Sequence, residues 1–142
     1  MGLDTFASGL SHDDNFHGSY GLYSSFIEEL IRQAYGEKCR EIRRRAVCDG
    51  FCDGKYMGAL TDDDIRTWTE NHNEDLDILI FHSDKDGKFT PEECRRIYSA
   101  IQDIHFDLDE NTYSGRRLME CLEQFKKIFK YCRDKRVNLY YK

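Results

Sequence analysis

The stretch HSDKDGKFTPEE, residues 82–93, is where residue type and spacing in this 142-residue sequence come nearest to the chemistry of a binding site. A twelve-residue calcium loop presents oxygen at its first, third, fifth, seventh, ninth and twelfth places, bends at a glycine in the sixth, and closes with a bidentate glutamate. Counted from His82, the sequence offers Asp84, Asp86, Gly87, the carbonyl of Lys88, Thr90 and Glu93, with apolar Phe89 in the eighth place. The first place does not fit. Imidazole is a poor ligand for a hard cation, and such loops usually come in pairs, whereas the sequence holds no second one. Glu93 also stands three residues after Thr90, with Pro91 between them, the spacing of a capping box that opens a helix. The stretch is therefore read as a DKDG turn whose glycine takes a positive φ before a helix starting at Thr90. Calcium binding through Asp84, Asp86, Lys88, Thr90 and Glu93 is the alternative.

Two other peptides carry reactive side chains. Cys48 and Cys52 in CDGFC are spaced to share a zinc ion, but structural zinc sites draw on two pairs of ligands and only Cys39, His72 or His82 could supply the second. A metal-free turn is expected there. HGSYG places His17, Gly18, Ser19 and Tyr20 together; with His82 and Ser83 they form a candidate ligand pocket. A catalytic version would take Ser19 or Ser83 as nucleophile, His17, His72 or His82 as base, and Asp84 or Asp86 as carboxylate. HGSYG lacks the spacing of a nucleophile elbow, and neither a glycine-rich phosphate loop nor HExxH occurs. The expectation is a protein without catalysis and without a cofactor.

Charge is unevenly distributed. Residues 53–110 hold 16 acidic and 6 basic side chains, whereas residues 111–142 hold 3 and 9, within a chain of net charge −6. Such a balance repels phosphate and speaks against direct nucleic-acid binding. It favours a protein partner with a basic surface, met by Asp62, Asp63, Asp64, Asp75, Asp77, Asp84 and Asp86. The basic runs Arg43–Arg45 and Lys126 to Arg136 are read as solvated helix faces.

These residues need elements to hold them. Nine Phe, nine Tyr and one Trp in a chain that is 39% hydrophobic predict one folded domain with its own core. Ser25 and Glu28 form a capping-box pair ahead of Phe26, Ile27, Leu30, Ile31 and Ala34, so a helix is predicted over 25–35 with Gly36 as its stop. A shorter helix begins at Thr61 and runs through Trp68, its start favoured by Asp62–Asp64. Cys94, Ile97, Tyr98, Ile101 and Ile104 stripe the helix after Thr90, and Leu118 to Cys132 stripe one over 114–133. Val137, Leu139 and Tyr141 alternate as a strand. Its partner is expected in MGLDTFAS, or else in Lys55–Leu60. The fold class is α+β, mostly helical, with a short sheet pairing the two chain ends. No run approaches the roughly 18 apolar residues of a membrane span, and the start has no leader-like pattern. A cytoplasmic protein with reduced thiols is expected.

The start MGLD, the segments FHGSYGLYSSFIEEL and FHSDKDGKFTPEEC, and the ending FKKIFKYCRDKRVNLYYK resemble, in this order, a family of small uncharacterised proteins from bacteria and their phages. The resemblance implies a single α+β domain marked by Gly18, Ser19 and Tyr20 and by the turn from Ser83 to Gly87. His82, Ser83, Asp84, Asp86 and Gly87 match the second mark; Lys85 departs from the cysteine or other small or acidic residue expected there. On that resemblance the chain is a phage-encoded accessory protein acting in the host cytoplasm, where it blocks a nucleic-acid-handling or defence protein through an acidic face.

Overall fold

The computed structural model describes residues 2–48, 60–83 and 86–142, with the backbone alone for 46–48. Four strands, β1 (Gly2–Ala7), β2 (His17–Ser19), β3 (Lys88–Phe89) and β4 (Leu139–Tyr141), form an antiparallel sheet in the order β2-β1-β4-β3. The two chain ends pair at its centre, with Thr5, Phe6 and Ala7 opposite Tyr141, Tyr140 and Leu139. This is the expected pairing. Alternation places Leu3, Thr5, Ala7, Phe89, Leu139 and Tyr141 against the helices and leaves Phe6 and Tyr140 on the open face.

The helices among the described residues are α1 (Tyr20–Tyr35), α2 (Glu37–Cys48), α3 (Asp62–Asn71), α4 (Glu74–Ile80), α5 (Pro91–Ile101) and α6 (Tyr113–Lys135). The chain is thus α+β and mostly helical. Helix α1 starts five residues before the predicted Ser25, because Ser19 accepts the amide of Leu22 and takes the cap position. Gly36, at φ 106°, ends it and returns its N–H to the Ile31 and Arg32 carbonyls. Helix α5 has the predicted capping box of Thr90 and Glu93 but stops at Ile101, so Ile104 lies beyond it. Helices α2 and α4 lack a long apolar stripe, although Asn73 caps α4 and acidic residues fill its first turn. The described side chains of α2 bury only Cys39 and Ile42, and α4 has seven residues, too few for a period to show.

The core is aromatic at its centre. Phe26 stacks on Phe125 with centroids 4.9 Å apart, Phe16 lies 4.9 Å from Phe125, and the Tyr23 and Tyr141 hydroxyls share a 2.8 Å hydrogen bond between α1 and β4. Each fully buried Phe contributes roughly 2–3 kcal/mol through the apolar surface it removes from water. Lys126, read from sequence as solvated, is buried: its Nζ donates to the Ile104 carbonyl at 2.6 Å, holding the segment after α5 against α6. No described helix is long and apolar enough to cross a membrane.

Candidate functional site

The 82–93 stretch links α4 to α5. His82 stacks on Phe89 at 3.9 Å, its Nε2 lies 3.2 Å from the Lys88 carbonyl, and its Nδ1 lies 2.8 Å from the Ser83 carbonyl. The ring therefore sits on the carbonyl that a calcium loop would turn to its ion. A Cβ on Gly87, at φ 100°, would come within 3.1 Å of that ring. Thr90 and Glu93 satisfy each other's backbone amides in the capping box. Asp86 is exposed, and Asp84 lies outside the described residues. So does Cys52; of Cys48 only the backbone, at the end of α2, is described. Among the described residues no group of three or more His, Cys, Asp or Glu is placed to hold a metal ion.

His17, Gly18 and Ser19 stand on β2, at one edge of the sheet, and Tyr20 opens α1; His82 and Ser83 precede β3, at the other edge. β1 and β4 separate the outer strands, which puts them roughly 14 Å apart, three strand spacings. The structure does not bring the two halves of the expected pocket together. His17 is bound on both sides, with Nδ1 2.7 Å from Asp4 Oδ1 and Nε2 2.7 Å from the His12 carbonyl, and His12 stacks on it at 4.0 Å. The Asp4 carboxylate raises the His17 pKa above its ordinary value; partial burial opposes this and the His12 carbonyl adds to it. Ser19 is occupied as the cap of α1.

The predicted acidic face is largely neutralised within the fold. Asp64 pairs with Arg45 at 2.9 Å, Asp63 with Arg66 at 3.3 Å, and Asp75 with Arg96 at 2.6 Å. Asp77 is half-buried: it accepts the Tyr35 hydroxyl at 2.7 Å and binds His72 at 2.5 Å, tying α1, α3 and α4 together. Asp62 remains exposed at the start of α3. The segment after α5 lies within the acidic stretch 53–110 but outside the residues expected to meet the partner. There Asp103, Asp107, Asp109 and Glu110 are all exposed, and none forms an ion pair among the described residues.

That segment runs into a groove of about 1000 Å³ between the loop after β1 and α6. Asp13, Asp14 and Glu110 form its rim with Glu120 and Glu123, against Arg116 and Lys127; Leu10, Met119 and Tyr131 supply apolar surface. Glu120 and Glu123 already have cations on their own helix, Arg117 at 3.6 Å and Lys126 at 3.4 Å. The loop wall is anchored. Gln124 Nε2 donates to the Asn15 carbonyl at 2.8 Å, the Tyr131 hydroxyl to the Ser8 carbonyl at 2.8 Å, and buried Asn15 donates to the Ser11 carbonyl at 2.9 Å. The only sequence signal for this wall was local: Gly9 supplies the φ of 83°, and Ser11 closes a turn on Asp14 at 2.8 Å.

Comparison with protein-family models, with curated proteins and with solved structures finds no match for this chain.

Proposed function

We propose that this is a non-catalytic binding protein that holds a basic partner protein on an acidic surface. The observation that carries this reading is the run of exposed carboxylates Asp103, Asp107, Asp109 and Glu110, none of which is ion-paired among the described residues as Asp63, Asp64 and Asp75 are, Asp107 alone feeling the charge of Arg32 from a distance. Unpaired charges closer than a Debye length of about 8 Å add their fields and accelerate encounter with a positive surface. Asp62 and Asp86 extend the same sign elsewhere. Against catalysis stand the engaged side chains: His17 and His82 have a partner at each ring nitrogen, and Ser19 caps a helix. On the resemblance to phage proteins, a host nucleic-acid-handling or defence protein, whose working surface is basic, is the partner of choice.

The test is fluorescence anisotropy with a short labelled Lys-rich peptide across a range of salt. Binding should weaken steeply with salt, and Asp103→Asn with Asp107→Asn should weaken it about 3- to 10-fold at low salt. If the parent protein ignores this peptide while a Glu-rich control binds, the reading is wrong.

A further inference from the structure

We propose that the groove between the loop after β1 and α6 is the docking place for an extended partner segment in which an apolar side chain lies between cationic ones. The inference rests on the reading above and names where on the surface, and in what chemical form, the basic partner is held.

Three features argue for it. The charge is complementary to a cation in net terms, because five carboxylates, Asp13, Asp14, Glu110, Glu120 and Glu123, line the groove against two cations, Arg116 and Lys127. Leu10, Met119, Ile128 and Tyr131 also line the groove, so it can take a hydrophobic side chain beside the charged neighbours that the carboxylates hold. The wall is also built before any partner arrives. Backbone carbonyls at both ends of the loop, Ser8 and Asn15, are held by Tyr131 and Gln124 of α6, and His17 holds the His12 carbonyl between them. A loop so anchored loses little further entropy on binding, which is what lets a small groove bind with useful affinity. Gly9 belongs to the same construction, since a Cβ there would stand 2.5 Å from the Tyr131 hydroxyl.

The size suits one extended segment. A volume near 1000 Å³ is at the upper end of small-ligand sites, and a few residues of extended chain fill such a space. A second copy of this chain is a poorer occupant, because its net charge of −6 repels an acidic rim.

The experiment uses labelled peptides built on Lys-Leu-Lys, Lys-Gly-Lys and Glu-Leu-Glu repeats, titrated with the whole protein. Lys-Leu-Lys should bind about tenfold tighter than Lys-Gly-Lys, and Glu-Leu-Glu should not bind. The pair Asp13→Asn and Glu110→Gln should weaken Lys-Leu-Lys about tenfold, whereas Glu41→Gln, at an exposed position of α2, should leave it unchanged. Tyr131→Phe, which keeps the ring and frees the Ser8 carbonyl, should raise hydrogen exchange in the loop and weaken binding several-fold. Lys-Leu-Lys bound equally by the parent and the rim variant would overturn the groove and leave the basic-partner reading standing. Failure of the parent to bind either basic peptide would defeat that reading itself, and the groove with it. Sedimentation of the protein alone is a third arm: a dimer that the rim variant dissociates would assign the groove to a second copy and refute the proposal.

Discussion

Among single side chains, His17 has surroundings that favour its charged form, because only an imidazolium can donate to the Asp4 carboxylate and the His12 carbonyl together. Its folded pKa lies above the ordinary histidine value of about 6.5. The stability this group contributes is therefore complete below about pH 6.5 and is lost as pH rises through the folded value. Thermal melts of the parent between about pH 6 and pH 8 should fall faster than those of His17→Gln; equal slopes would exclude the linkage. Gly9 makes a second prediction. With φ at 83° and Tyr131 beside it, Gly9→Ala should cost about 1–2 kcal/mol in urea unfolding, because an L-residue there is strained and crowded.

Among the elements, the start of α1 shows how local signals compete. Ser25 with Glu28 has the spacing of a capping box, yet Ser25 lies exposed within the helix and Glu28 faces Arg44 at 3.3 Å. Ser19 holds the cap because β2 ends there, and pairing with β1 fixes the direction of the incoming chain. Ser19→Ala should accordingly destabilise the protein by about 1 kcal/mol. Ser25→Ala should be neutral or stabilising by a few tenths, since alanine is the better helix former. The reverse order in chemical denaturation would place the helix start at Ser25. Helix α5 had no such competition: Thr90, Pro91 and Glu93 all mark the same start, and the structure begins it there.

Across the whole molecule, one core joins the sheet to α1, α4, α5 and α6, and it contains the thiols of Cys39, Cys94, Cys121 and Cys132. Burial raises the Cys39 thiol and pushes Cys121 up to about 11; Cys94 is raised by its contact with Cys132 and by burial. The same contact lowers the Cys132 thiol, which is shielded by complete burial, so all four should resist iodoacetamide at about pH 8 in the native protein and react once urea unfolds it, as read by peptide mass mapping. Rapid labelling of Cys121 under native conditions would show that the core opens. At the centre of that core, Phe125→Ala removes the ring that touches Phe16, Tyr23, Phe26 and Phe129 and should cost about 3–5 kcal/mol.

What the sequence determined by itself was what short-range chemistry controls. The caps at Thr61 and Thr90, the stop at Gly36, the apolar stripe of α6 and the alternation of β1 and β4 are each written within a few neighbouring residues. Charge was legible as a total and not as a surface. Whether Asp64, Asp75 and Asp77 face solvent or an arginine, a tyrosine and a histidine depends on how α1, α2, α3, α4 and α5 pack, and sequence spacing does not encode that. The strand order likewise decided that HGSY and HSDKDG, both suggestive as peptides, lie at opposite edges of the sheet, because β1 and β4 pair between them. The groove arises in the same way. Its rim joins residues about a hundred positions apart, and only the docking of Ser8 and Asn15 onto α6 brings them to one place.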